Sequence, residues 1–284
     1  MSWDVISEQR CFGGVQGFYK HDSAAIGLPM RLALYRPAQA SERPVPVLYF
    51  LAGLTCSEET ATIKAGAQRL ASELGLALVM PDTSPRSTGI EGATGDWEFG
   101  EGASFYLDAT QAPWSRHFRM ETYLTRELPA LLAERFGDAL DLSRSGICGH
   151  SMGGHGALTL ALKHPALYRS VSALAPIVAP SGVPWGLKAL PRFLGEDRAA
   201  WRRHDTCALI EDGARFSSVP LIDQGEADKF LVEQLRPELL ELACAKAGQA
   251  VRVRRQAGYD HSYWFVQSFV PDHLRHHAGV LGGG

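Results

Sequence analysis

Short apolar runs alternate with longer stretches of helical periodicity along most of this chain. Val47–Leu51, Leu76–Met80, Ser145–Gly149, Ser170–Leu174 and Val219–Asp223 read as buried strands. Val251–Arg255 alternates apolar and basic residues and reads as a sixth. Between them the 3.6-residue period predicts helices over Thr60–Leu74, Met120–Phe136, Met152–Lys163, Phe230–Ala247 and Ser262–His277. Strand and helix in alternation imply a mostly parallel sheet with helices on both faces. The N-terminal stretch differs. Val5–Arg10 and Met30–Tyr35 alternate loosely, with turn residues between them, and predict antiparallel edge strands ahead of the parallel part.

No repeat or low-complexity tract divides the 284 residues, so one α/β domain spanning 1–284 is expected. A chain of this size buries enough surface to fold without disulfides or metal. Residues 179–218 are rich in Pro, Gly, Trp and Arg and show no clear strand. They are too long for a bare loop, so a small helical insertion over one end of the sheet is expected there.

Composition narrows the function. Lys and Arg total 28 against 31 Asp and Glu, a net charge of −3, which argues against nucleic acid or an anionic membrane as partner. No apolar run reaches the length of a membrane span. The N-terminus has neither the basic nor the apolar region of a signal peptide. Cys11, Cys56, Cys148, Cys207 and Cys244 are odd in number and widely spaced, which reads as reduced thiols in a cytoplasmic protein. The closing run of glycines, Gly282–Gly284, carries no weight.

The candidate chemistry starts at Gly149-His-Ser-Met-Gly153, a G-x-S-x-G pentapeptide. Alone it is a weak signal. Here it follows a short apolar strand and opens a helical pattern, the setting in which a serine is exposed on a strained turn. Glycine at 149 and 153 removes the Cβ atoms that would collide in so sharp a turn. Ser151 is therefore the candidate nucleophile, in preference to a plain helix cap.

A serine needs a general base, and the base needs an orienting acid. In this fold the order along the chain is serine, acid, histidine. His261 lies just after the last strand pattern, where a loop overhangs the carboxyl ends of the strands. His155 lies down the helix from Ser151, and His164 sits at a helix end before a proline. The loop after Val219–Asp223 offers Asp223, Glu226 and Asp228 as the acid. Asp228 is favoured because the chain can turn back at Gly225. An oxyanion hole would take the Met152 N–H and, from the loop after Val47–Leu51, the Leu54 N–H. Cys56 belongs to that same loop and is a candidate redox-sensitive thiol, the alternative being a buried, inert cysteine. His273, His276 and His277 have metal-ligand spacing, but no carboxylate or cysteine completes a set. With no dinucleotide or phosphate-binding loop either, neither metal nor cofactor is expected.

Several longer strings resemble one family. Leu51–Glu58, Pro81–Arg86, Gly95–Thr110, Gly149–Leu158, Pro184–Ala189, Asp223–Asp228, Gly258–Tyr263 and Asp272–Ala278 are similar to the S-formylglutathione hydrolase (esterase D) family of α/β-hydrolases. The likeness runs over essentially the whole chain. It implies a cofactor-free, cytoplasmic homodimer that hydrolyses the thioester S-formylglutathione to glutathione and formate, the second step of glutathione-dependent formaldehyde disposal. The same resemblance gives Ser151, Asp228 and His261 as the triad. Trp97, Phe105, Tyr106 and Trp185 are expected at the pocket entrance, with plain packing as the alternative for each. The rival functions are a general carboxylesterase of short-chain esters and a non-catalytic binding module on the same fold.

Overall fold

A computed structural model describes residues 3–282; Met1, Ser2, Gly283 and Gly284, with the ends of the termini read above, lie outside the described residues. The strands are β1 (Trp3–Cys11), β2 (Gly14–Asp22), β3 (Pro29–Arg36), β4 (Val45–Leu51), β5 (Ala77–Pro81), β6 (Leu140–His150), β7 (Ser170–Leu174), β8 (Leu221–Gly225) and β9 (Arg252–Gln256). They form one sheet in the order β1-β2-β3-β5-β4-β6-β7-β8-β9. Pairing is antiparallel from β1 to the β3–β5 contact and parallel from there on. The helices are α1 (Glu58–Lys64), α2 (Gln68–Leu74), α3 (Met120–Thr122), α4 (Leu128–Phe136), α5 (Met152–Lys163), α6 (Pro184–Leu194), α7 (Arg198–Arg202), α8 (Thr206–Glu211), α9 (Pro237–Lys246) and α10 (Tyr263–Leu281). This is the mixed sheet and helix arrangement of an α/β-hydrolase.

Every residue of β4, β5, β7 and β8 is buried; β4 and β5 accordingly read as near-continuous apolar runs, while β7 also buries Ser170 and Ser172 and β8 buries Asp223 and Gln224. Two helices cover the centre of the sheet from opposite sides. His277 of α10 bonds the hydroxyls of Ser170 (2.6 Å) and Ser172 (2.8 Å) on β7. Gly154 of α5 abuts Ala173 of the same strand, where an added Cβ would stand 3.3 Å from the alanine Cβ. Successive strand residues point to opposite faces, so α10 and α5 lie on opposite faces.

Four expectations need correction. Between the two expected N-terminal strands, where the sequence shows turn residues because Gly14, Gln16, Gly17 and Lys20 break the apolar pattern, lies a full strand, β2, paired with both β1 and β3. Met30–Tyr35 is therefore an inner strand, and only β1 forms that edge of the sheet. The helix expected over Thr60–Leu74 is two helices, α1 and α2, separated at Gly66, which has φ +66°. It also begins earlier, since Ser57 and Thr60 make a capping box. The helix expected from Phe230 breaks at Arg236 (φ +51°) before Pro237, leaving a π-helical turn at Leu231–Leu235 ahead of α9. Within 179–218 the chain forms a short 3-10 turn (Pro180–Gly182), α6, α7 and α8, all between β7 and β8. Among the described residues no helix is long and apolar enough to cross a membrane.

Buried histidines tie stability to pH. Burial lowers the pKa of His155 to about 4 and those of His150 and His277 well below the ordinary histidine value. Between 6.5 and these lowered values the unfolded chain binds protons that the folded chain does not, so acid favours unfolding. Asp223 and Glu121, both held down to about 2 against the cost of burial by their basic partners, extend the loss to lower pH. The melting temperature is therefore expected to fall steadily as pH drops from 6.5 towards 4. Thermal melts across that range check it, and a flat profile would contradict the buried-neutral assignment.

Candidate active site

The turn between β6 and α5 carries Ser151. Its backbone sits at φ 58°, ψ −120°, a region that residues with a side chain rarely occupy. Two anchors hold it there: Ser151 N–H donates to Leu174 O (2.9 Å), and Ser151 O accepts from His155 N–H (3.0 Å). The glycines are sterically required. A Cβ on Gly149 would lie 2.2 Å from Gly153 O, and one on Gly153 would lie 2.0 Å from Leu51 O. A Cβ on Gly156 would lie 2.6 Å from the Tyr106 ring. The strand, the helix and the neighbouring loop thus meet backbone to backbone, and the Ser151 hydroxyl is left at the apex.

Two further loops converge on it. Gly225, at the end of β8, packs against the loop after β9 so closely that a Cβ would stand 2.4 Å from Tyr259 O. Ala227 N–H donates to Tyr259 O (2.9 Å). This contact brings Asp228 beside His261. His261 Nδ1 lies 2.5 Å from Asp228 Oδ2, and His261 Nε2 lies 2.9 Å from Ser151 Oγ. Asp228 is buried and also accepts from Phe230 N–H (2.9 Å) and the Gln224 side-chain amide (3.3 Å). The arrangement lets a carboxylate fix the Nδ1–H tautomer and leaves Nε2 to receive the serine proton.

The other acids on the sequence have separate tasks. Asp223 is fully buried and accepts from Arg254, Gln256 and His273. Glu226 is exposed. Asp260 caps the start of α10 through Ser262. The three C-terminal histidines go to three different partners: His273 to Asp223, His276 to Val171 O, and His277 to the two serines of β7. Among the described residues no cluster of three potential metal ligands occurs.

The loop bearing Leu54 is fastened from several directions. Tyr106 Oη donates to Ala52 O (2.8 Å), and Thr55 N–H donates to Gly102 O (2.8 Å). The Cys56 carbonyl accepts from both Thr83 Oγ1 and Arg86 Nη2 (2.6 Å each). Asp82 fixes that arginine at 2.7 Å. Gly53, Leu54, Cys56, Trp97, Trp185 and Tyr263 are among the residues around a 220 Å³ cavity that opens over Ser151 and His261. Phe105 and Tyr106, expected at the entrance, are instead buried. Phe105 O accepts from the His155 ring (3.1 Å), and Tyr106 supports Ala52 and packs on α5. They hold the walls from behind. Trp97 is half exposed and meets Trp185 edge to face at 5.7 Å.

Three residues at the site gave no chemical signal in the sequence. Each lies within two positions of Ser151, Asp228 or His261. Phe230 packs edge-on to the His261 ring at 5.1 Å, and Tyr263 walls the cavity beside Cys56. His150 lies against the His261 ring at 4.6 Å. Burial, with the nearby His261 charge, holds its pKa well below normal, so it stays neutral beside the His261 ring.

Burial raises the pKa of the Cys56 thiol, which sits next to the Tyr263 hydroxyl. All five cysteines are free; Cys148, Cys207 and Cys244 are buried, and Cys11 lies on β1. N-ethylmaleimide is expected to inactivate the protein slowly near neutrality and faster as pH rises, by filling the cavity at Cys56. Cys56→Ser should be active and resistant. Equal inactivation of both proteins, measured as residual esterase activity, would place the sensitive thiol elsewhere.

A family model described as "Esterase" matches residues 23–276. The chain is 51% identical over 282 residues to the S-formylglutathione hydrolase of Paracoccus denitrificans, covering 99% of each. It superposes on the solved S-formylglutathione hydrolase of Agrobacterium tumefaciens with TM-score 0.95 and 50% identity, over 98% of this chain and 100% of that one. A fluorophosphonate-binding serine hydrolase of Staphylococcus aureus shares the fold alone, at TM-score 0.72 and 19% identity, over 93% of this chain and 98% of that one.

Proposed function

The chain belongs to the S-formylglutathione hydrolases of the esterase family, and on that footing we propose how it works as one. It is a serine thioesterase that hydrolyses S-formylglutathione to glutathione and formate. The observation that carries the mechanism is the unbroken hydrogen-bond path from Ser151 through His261 to Asp228. Ser151 Oγ attacks the formyl carbon while His261 Nε2 takes its proton. Asp228 holds the ring and stabilises the imidazolium. Leu54 N–H, on the firmly anchored loop, and Met152 N–H, at the start of α5, receive the developing oxyanion. Its collapse breaks the C–S bond, and the protonated His261 delivers its proton to the departing thiolate. Water, deprotonated by His261, then attacks the formyl-serine, and collapse of the second oxyanion releases formate and restores the serine.

The cavity above Ser151 is walled by Trp97, Trp185, Phe230 and Tyr263, which leaves little room for a long acyl chain. Segment 179–218 supplies one of these walls through Trp185 on α6, and we assign it as an insertion within a single domain. Rates for S-formyl-, S-acetyl- and S-butyrylglutathione test this directly. They are expected to fall in that order through kcat/KM; a preference for butyryl would favour a general short-chain carboxylesterase instead. The free cysteines and the family resemblance support a reducing, cytoplasmic location and a homodimer, to be checked by fractionation and by light scattering.

Asp228→Asn is expected to lower kcat by roughly 10⁴-fold, less than loss of the nucleophile, because the base survives in a poorer tautomer and orientation. Wild-type activity in Asp228→Asn would transfer the orienting role to another carboxylate. Asp223→Asn should act mainly on stability, since its partners are Arg254, Gln256 and His273.

A further inference from the structure

The cavity over Ser151 accounts for the acyl group but not for the thiol that leaves. Glutathione carries two carboxylates, and its chain extends from the cysteine by about 3.3–3.6 Å per residue, so the peptide must lie outside that cavity. The protein offers two directions. Behind Trp97 and Trp185, Asp96 and Glu98 are held by Lys188, at 2.8 and 2.7 Å, and the Trp185 indole N–H also donates to Glu98. Lys188 is engaged by both acids, and Arg192 lies 4.0 Å from Asp96 and over the Phe99 ring, so neither is left over for a carboxylate.

The other direction leads past Tyr263. A 490 Å³ cleft lies between the end of α1 and the start of α10, lined by Ile63, Lys64, Tyr263, Trp264 and Gln267. Tyr263 lines both the cleft and the cavity over Ser151, so the two adjoin at this side chain. Ile63 and Trp264 are 68% and 76% exposed, and together they form an apolar floor. Lys64 is exposed, forms no ion pair among the described residues, and is close enough for its charge to bear on the Cys56 thiol at the cavity wall.

We propose that this cleft binds the peptide part of the leaving thiol, with Lys64 pairing one of its carboxylates and Trp264 and Ile63 covering its aliphatic portion. The proposal rests on the thioesterase reading above. It adds where specificity for a peptidic thiol resides. An uncharged leaving group such as p-nitrophenol has no carboxylate to offer Lys64, so the two substrate classes separate at this residue. The competing cation is Lys229, whose ammonium lies 4.8 Å from the Phe230 ring on the far side of the cavity.

Two measurements test it. Binding of S-methylglutathione to the Ser151→Ala protein, by calorimetry, is expected to weaken about tenfold on adding Lys64→Glu, the scale of one exposed ion pair replaced by repulsion. Lys64→Arg should retain binding, and Trp264→Ala should weaken it. In protein with Ser151 intact, Lys64→Glu should lower the ratio of kcat/KM for S-formylglutathione to that for p-nitrophenyl acetate by a similar factor, through KM and more strongly at low salt. Unchanged binding with Lys64→Glu, equal losses on both substrates, or a tenfold loss from Lys229→Glu in its place would each overturn the proposal. Failure of the unsubstituted protein to hydrolyse S-formylglutathione would instead remove the functional reading on which it rests.

Discussion

Ser151→Ala is expected to lower kcat by roughly 10⁵–10⁶-fold while leaving the fold unchanged. The reason is local. Apart from its backbone anchors, the one hydrogen bond of Ser151 among the described residues is from its hydroxyl to His261 Nε2, at 2.9 Å. Alanine keeps the Cβ and tolerates the same φ as serine, so the turn loses an oxygen and nothing else. Residual rate would come from the oxyanion donors and substrate binding alone. The check is kcat on S-formylglutathione together with a thermal melt. A melt matching wild type with more than about a hundredth of its activity would sink the nucleophile assignment, since loss of a triad member leaves far less.

Gly153→Ala is expected to destabilise the protein strongly, because the added methyl group meets fixed backbone at the site. Its Cβ would lie 2.0 Å from Leu51 O, 2.4 Å from Leu51 C and 2.6 Å from Ala52 O, all backbone atoms that have no rotamer to change. Either α5 moves off the sheet or the Leu51–Cys56 loop is displaced. Overpacking of this kind costs about 3 kcal/mol or more where backbone must shift. Because the same loop carries Leu54, activity should fall together with melting temperature. Gly182→Ala is the matched control, since nothing stands within 4 Å of an added Cβ there. Equal melting temperatures for the two variants would mean that the turn is more pliable than its contacts imply.

The sequence was most informative where one force acted alone. β7 and α5 match the expected Ser170–Leu174 and Met152–Lys163, since buried strands and a glycine-led helix leave strong local signals. The order of Ser151, Asp228 and His261 was readable because each follows a strand end, and the fold brings strand ends together. β2 was not readable, since its stability comes from pairing with β1 and β3 rather than from its own composition. Nor were the buried positions of Phe105 and Tyr106. Aromatic residues beside a catalytic string look alike whether they face a cavity or, as here, brace its wall. His150 escaped notice for a similar reason: only its contact with the His261 ring gives it a part in the site. The fastening of the Leu54 loop by Arg86 and Thr83 is a tertiary fact, with the Cys56 carbonyl about thirty residues away in the chain.

The central claim is that this protein is a thioesterase for S-formylglutathione that acts through Ser151. The most direct measurement is kcat/KM on S-formylglutathione set beside kcat/KM on p-nitrophenyl acetate, for wild type and Ser151→Ala. The account predicts a clear preference of wild type for the thioester, with formate and free thiol released in equal amounts and both activities lost in Ser151→Ala. A wild-type protein that favours the aryl ester, or thioester turnover that survives in Ser151→Ala, would contradict it.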